Sequence, residues 1–509
     1  MNSFMNALNS ATNYTRTENG GLTHKSTESD LLDLFAMGAA YRSRSDADCI
    51  NLFKNAFAEN PVYALKCLFY IRDVRGGQGE RRFFRVCMRW LANANTEAAR
   101  RNLKYVPEFG RWDDLYEFVN TPLETDAFAI MKHQLALDVE CKTPSLLAKW
   151  LKSENTSSQD SRKLGKLTRQ YLNMTARQYR KTLSILRQRI NVLERLMSEN
   201  RWDEIEFDKI PSRAGMIYKN AFARHDIERQ KNESVQTYAD FAKDTTKKVN
   251  AKALYPYECV EQARKKYSGW GYSRTDNLED TDRLMINKYW DNLTDYFNNA
   301  TFNGIAVIDT SGSMTGRYGT TVAPIDVAIS LGLYCAEHNS GPFANHYISF
   351  ASRPQMIRTD GVDFVDKVNR IYKTNLVDST NIQAVFDLLL DIARKPGVKA
   401  EDIPQNIIII SDMEFDEAQR GWHSRNSSTF SGSDMEWIMK QWAKYGLKAP
   451  NLVFWNVCTR QDNIPMTVKD GISYVSGFSP SIFEQIMSGK TAFDLMYEVL
   501  DKERYACIQ

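Results

Sequence analysis

Residues 306–316, AVIDTSGSMTG, run an apolar stretch straight into Asp309, Ser311 and Ser313. A carboxylate and two hydroxyls at alternate positions after a strand-like run are the donors a hard cation prefers. Two later stretches supply further oxygens. DSTNIQAVFDLLL offers Thr380 at a helix start, and NIIIISDMEFD ends its apolar run in Asp412, followed by Glu414 and Asp416. Together Asp309, Ser311, Ser313, Thr380 and Asp412 suit octahedral Mg2+, or Mn2+, with water in the remaining positions. Because neutral hydroxyls leave such a metal under-neutralised, it favours an outside carboxylate or phosphate as its last ligand. The competing reading is that Ser311 and Ser313 cap a helix and Asp309 closes a turn.

Hydrolysis at such a site needs a positioned base. None of the six histidines (24, 133, 225, 338, 346 and 423) stands in a recognisable motif, which leaves Glu414 and Asp416 as the better candidates. No G-x-x-x-x-G-K-[ST] and no G-x-G-x-x-G occurs, so no nucleotide cofactor is expected.

A second chemistry lies upstream. FYIRDVRGGQGERRFFR (69–85) sets Arg72, Arg75, Arg81, Arg82 and Arg85 around a glycine-rich turn, where backbone amides and guanidinium groups can receive phosphate. The same stretch also reads as a helix-pair turn whose arginines bond nearby carbonyl groups. Between Lys149 and Arg195 stand twelve Lys or Arg against three acidic residues, too one-sided for an ordinary solubilising face. Tyr179, Leu183, Leu186, Ile190, Leu193 and Met197 recur at helical steps there. Arg177, Arg180, Lys181, Arg187 and Arg195 fall on the opposite side, as a face for a polyanion. Residues 201–230 add Arg213, Lys219, Arg224 and Arg229, with Tyr218 and Phe222 interleaved for stacking on unpaired bases or for a core.

The elements that must position these groups are of two textures. From about 31 to 300, apolar residues recur at i, i+3, i+4 with Pro and Gly punctuation, as in a HEAT-like α-solenoid. After about 301, the short apolar runs 304–309, 346–350, 406–411, 451–457 and 471–476 alternate with helical segments, which predicts βαβ units and a doubly wound, mostly parallel sheet. The expected partition is a flexible arm over 1–30, a helical module over 31–300 and an α/β domain over 301–509. SENTSSQDSR (153–162) and HSRNSSTFSGSD (423–434) read as loops.

Composition sets outer limits. The chain has 509 residues, 43% of them hydrophobic, and a net charge of +3 from 66 basic and 63 acidic groups, so disorder as the main state is excluded and only local charge informs on partners. Eight scattered cysteines without a C-x-x-C pair argue against a zinc site and a disulfide framework. No signal-like segment and no run near the ~18 apolar residues of a membrane span is present, so a cytoplasmic, intracellular protein off the membrane is expected.

The order D-x-S-x-S, then Thr380, then Asp412 resembles the metal-ion-dependent adhesion site of von Willebrand factor A domains. That resemblance implies metal contacts from Ser311, Ser313 and Thr380, with Asp309 and Asp412 acting directly or through water. FYIRDVRGGQGERRFFR and LKYVPEFGRWDDLYEF (103–118) are similar to motifs of the TROVE module of Ro-type RNA-binding proteins, closest to an uncharacterised TROVE-like family of plants, viruses and phages. In Ro-type proteins a ring of helical repeats is closed by an A domain. This resemblance implies RNA contacts at Arg72, Arg75, Arg81, Arg82 and Arg111. The expectation is a non-enzymatic binder of small or structured RNA. A metal-dependent scaffold gripping an acidic protein partner is the alternative, and a metal-dependent hydrolase the second.

Overall fold

The computed structural model describes residues 13–17, 22–190, 192–232, 235–264, 278–297, 302–318, 320–374, 380–415, 432–461, 464, 472–486 and 491–509. Residues 1–12 of the expected arm, Asp416, His423 and most of the 423–434 stretch lie outside them. The chain divides into two compact units, one of Met1–Cys67 with Leu254–Arg504, the other of Leu68–Ala253 with Tyr505–Gln509.

The first unit is built on a sheet whose strands are β3 (Gly304–Asp309), β4 (His346–Phe350), β5 (Met356–Arg358), β6 (Asn406–Ser411), β7 (Asn451–Asn456) and β8 (Ser473–Ser476), following a short antiparallel pair, β1 (Tyr14–Arg16) and β2 (Leu22–His24). Their order is β5-β4-β3-β6-β7-β8. All neighbours are parallel except β5 on β4, an edge strand the sequence pattern does not announce. Every residue of β3 and of β6 is buried, as strands covered by helices on both faces must be. The helix Pro324–His338 packs on β3, and Gly332 of that helix is where it comes closest, since a Cβ there would lie 2.3 Å from Ile308.

The chain leaves β3 toward β4 on one side and reaches β6 on the other. The strand order therefore reverses at β3, which opens a crevice at the carboxyl ends of β3 and β6.

The unit division differs from the expected partition at both ends of the helical region. Residues 30–67 and 254–300 group with the sheet, because the helix Asp30–Met37, DLLDLFAM, is apolar on nearly every side and needs a core around it. It packs on β8 and on the helix Ala492–Leu500. Nor do the described residues before 30 form a free arm. His24 and Ile464 exchange backbone hydrogen bonds at 2.9 Å, and the hydroxyls of Thr17 and Thr23 donate to the carbonyls of Phe415 and Ile464 at 2.7 and 2.8 Å.

The second unit is helical in all its described regular structure. Neighbours in sequence pair locally, Arg82–Ala94 against Thr96–Leu103 and Glu124–Glu140 against Gln159–Tyr171. The expected single stripe from Tyr179 to Met197 is instead two helices, Ala176–Arg189 and Leu193–Ser198. The chain's end returns to this unit, where Gln509 N donates to Asn102 Oδ1 at 2.9 Å. No described helix is long and apolar enough to cross a membrane.

If residues 30–44 are part of the sheet's core, Phe35→Ala destabilises the α/β unit by about 3–5 kcal/mol, as large-to-small changes in packed cores do. Denaturant unfolding followed by tryptophan fluorescence measures this, and a detached arm would give a change near zero.

Candidate metal and polyanion sites

At the crevice, Asp309 is the last residue of β3 and Asp412 the first after β6. Parallel pairing of Ile308 with Ile410 sets the following residues side by side, and Ser411 Oγ donates to Asp309 Oδ2 at 2.5 Å. Asp309 Oδ1 accepts from Ser311 N at 2.9 Å, so this carboxylate does close a turn. Helix capping does not account for Ser311, whose side chain makes no cap bond to the short turn Gly312–Thr315. Its Oγ lies 3.1 Å from that of Ser313, and Ser313 also hydrogen-bonds Asp412. Four of the five expected donors thus form one network, with Ser411 as a fifth oxygen that the SD pair at the strand end signalled only faintly. Thr380 is buried beside Asn381, whose side chain caps the helix Ile382–Ala393 by accepting from Ala384 N.

The two carboxylates share a water-poor space. Burial first and the nearby Asp412 charge second push Asp309 up to about 7. Asp412 is raised as well, by burial, against the opposing pull of Arg460, whose Nη2 stands 3.2 Å from Asp412 Oδ2. No motif pointed to Arg460. Met413 adopts a left-handed φ of +63°, a costly conformation for a side-chain-bearing residue, and the turn lets Glu414 N reach Asp412 Oδ1 at 3.3 Å. Among the described residues no group of three or more His, Cys, Asp or Glu forms a metal cluster. Two carboxylates among hydroxyls are a different donor set, one that fits a hard cation chemically.

The helical unit sorts the expected basic residues into two kinds. Arg72 is buried, and its Nε and Nη2 donate to Asp114 Oδ2 at 2.9 and 2.7 Å. Arg85 Nε holds Asp114 Oδ1 at 2.6 Å, and Arg111 forms an ion pair with Asp113 at 3.0 Å while lying 4.1 Å over Trp150. Gly110 makes room for this, because a Cβ there would stand 2.2 Å from Asp114 Oδ2. The GGQG turn is likewise internal. Gly77 sits so close to the Tyr70 carbonyl that a Cβ would fall 2.0 Å from its oxygen, and buried Gln78 donates to Tyr70 Oη. Arg72 is therefore unavailable to RNA, and Arg75 gives Nη1 to the Glu108 carbonyl at 2.5 Å. Arg81 is exposed and Arg82 half-buried.

Arg187 does not lie on an open positive face either. Its guanidinium donates to the carbonyls of Ala148 and Leu151 at 2.8 and 2.9 Å and to Ser153 Oγ at 3.1 Å, closing the end of the short helix Leu147–Trp150. Arg195 pairs with Glu199 at 2.8 Å. Arg177, Arg180 and Lys181 remain exposed on the helix Ala176–Arg189.

Beside them opens a cleft of about 900 Å³, lined in part by Lys149, Trp150, Arg180, Arg195, Arg213 and Tyr218. Phe222 is core, packed edge-on against Trp202 and Phe207 and tilted against Tyr238, whereas Tyr218 reaches the cleft wall.

Residues 17–159 and 140–301 match a family model described as domain of unknown function DUF2828, and residues 303–506 match one described as domain of unknown function DUF7788. The chain is 30% identical to uncharacterized protein L728 of Acanthamoeba polyphaga mimivirus, over 94% of this chain and 85% of that protein. A crystal structure of the Deinococcus radiodurans Ro (RSR) protein aligns with a TM-score of 0.39 at 14% identity, over 94% of this chain and all of that one.

Removing Asp114 leaves two guanidinium groups without their shared carboxylate. Asp114→Ala is expected to cost about 3–5 kcal/mol in denaturant unfolding. Arg180→Ala, at an exposed position, stays within about 0.5 kcal/mol of the parent.

Proposed function

The chain belongs to the DUF2828 family, and we propose that it is a non-enzymatic RNA-binding protein whose α/β unit holds a divalent cation, Mg2+ or Mn2+, at Asp309, Ser311, Ser313, Thr380 and Asp412. The observation that carries the RNA half is the exposed, one-signed edge of Arg177, Arg180 and Lys181 beside a cleft walled by Trp150 and Tyr218. Cations track a phosphate backbone and aromatic faces take unstacked bases, so the ligand class is RNA with single-stranded or looped segments. The cleft's volume falls within the roughly 300–1,000 Å³ range of small-ligand sites, enough for a nucleotide to enter.

The metal half rests on the meeting of Asp309, Ser311, Ser313 and Asp412 at a strand-order reversal, and on the cost of burying two carboxylates of which Asp412 is paired with Arg460 while Asp309 is met by neutral donors. The site resembles the metal-ion-dependent adhesion site of A domains in donor order and in position on the sheet. Bound there, a divalent ion supplies a Lewis-acidic position open to a carboxylate or phosphate from a partner or from RNA. Glu414 is buried with its backbone turned to Asp412, a poor placement for a base, which disfavours the hydrolase reading. An acidic protein partner gripped by the metal is the second reading, favoured by the hydroxyl-rich donor set.

Filter binding with a small structured RNA and with duplex DNA, repeated across salt, tests the RNA half. Binding is expected to prefer RNA and to weaken steeply with salt, and Arg177→Glu with Arg180→Glu and Lys181→Glu is expected to lower the log–log salt slope by about 2. Equal binding by the triple variant removes this surface from the reading. Partners lost on Asp309→Asn yet indifferent to nuclease would favour the scaffold.

A further inference from the structure

Arg460 occupies the place of a counter-cation. Its Nη2 is 3.2 Å from Asp412 Oδ2, with the arginine side chain 9% exposed and the carboxylate wholly buried. The same guanidinium lies 4.4 Å over the ring of Tyr318, whose hydroxyl donates to the Ser313 carbonyl at 2.5 Å. Tyr318 holds a left-handed φ of +43°, and its ring folds so tightly over the loop that a Cβ on Gly316 would fall 2.5 Å from it. Arg460 is anchored from behind as well, since Arg44 Nη1 donates to its carbonyl at 2.7 Å. Asp309, by contrast, is met by Ser311 N and Ser411 Oγ, which are neutral donors.

One guanidinium therefore meets one of the two buried carboxylates, and neutral donors alone meet the other. A divalent ion entering among the same oxygens would place two cations on Asp412 in a space of low dielectric, where their repulsion is strong. Resting on the metal reading above, we infer that Arg460 is a tethered competitor of the metal: it holds Asp412 while the site lacks a divalent ion, and it yields Oδ2 when one binds. The stack on Tyr318 gives the released guanidinium a second resting place without leaving the rim. The site thereby stays folded at low metal, and the affinity for the ion is set by the cost of displacing Arg460.

Titration calorimetry with Mn2+ on the full chain, comparing the parent with Arg460→Gln, Arg460→Lys and Asp309→Asn, tests this. Arg460→Gln is expected to bind Mn2+ about tenfold more tightly than the parent or better, the order expected from relieving one charge repulsion. Arg460→Lys should stay near the parent, and Asp309→Asn should not bind. If the parent binds, Asp309→Asn does not, and Arg460→Gln binds no more tightly than the parent, competition is overturned while the metal site stands. If neither the parent nor Arg460→Gln binds Mn2+, the metal site itself is overturned and the inference with it. Thermal melting keeps the test decisive where Arg460→Gln folds poorly. Its metal-free melting temperature is expected to fall, with a larger Mn2+-induced rise than in the parent, and an equal or smaller rise counts against the inference.

Discussion

Two buried carboxylates of like charge, Asp309 and Asp412, stand at the ends of adjacent parallel strands, and much of the α/β unit is arranged around keeping them there. Charged groups out of water are tolerated only when donors or cations surround them. Here the donors are Ser311 N, Ser411 Oγ and Ser313, the cation is Arg460, and the left-handed turn at Met413 brings the Glu414 amide into reach. The residual imbalance appears as raised carboxyl pKa values, burial being the leading cause. A protein indifferent to cations could lower that cost by placing an amide at either position. Two carboxylates held in this way are the charge that the proposed cation would neutralise.

The N-terminal segment joins the same arrangement from outside. Phe35 and Ala40 offer their carbonyls to Ser476 Oγ and Thr459 N at 3.2 and 3.1 Å, and Arg42 lies 3.7 Å over the Phe478 ring. Residues 35–44 thus line the loops that follow β7 and β8, including the loop bearing Arg460. What reads locally as the opening helix of a solenoid is here a brace for the carboxyl edge of the sheet.

In the helical unit, charge is divided between structure and surface. Arg72 and Arg85 converge on Asp114, and Gly110 is required because any side chain there would enter the space of that pair. Arg187 closes a helix end through three neutral acceptors. Arginine suits such work because its planar fork carries several donors at fixed angles and keeps its charge when desolvated. The lysine and arginines left on the outside, Lys181 with Arg177 and Arg180, have no role in packing that explains their common sign.

Local pattern alone announced five of the six sheet strands nearly to the residue, since a buried parallel strand must be a short apolar run and GIAVID and NIIIIS admit little else. It also announced the oxygen donors, because the chemistry of a strand end is written in consecutive residues. β5 escaped notice because two half-buried residues and an exposed one on a sheet edge carry no such constraint. The amino-acid sequence by itself therefore determined the elements and the candidate ligand types. Only the tertiary structure decided which arginines are buried and which are open, that residues 30–67 belong with the sheet, and that Arg460 stands on Asp412. Those outcomes depend on which groups meet across tens of residues of chain, and neither spacing nor composition records the low dielectric that makes one guanidinium a buried ion-pair partner and leaves another exposed to water.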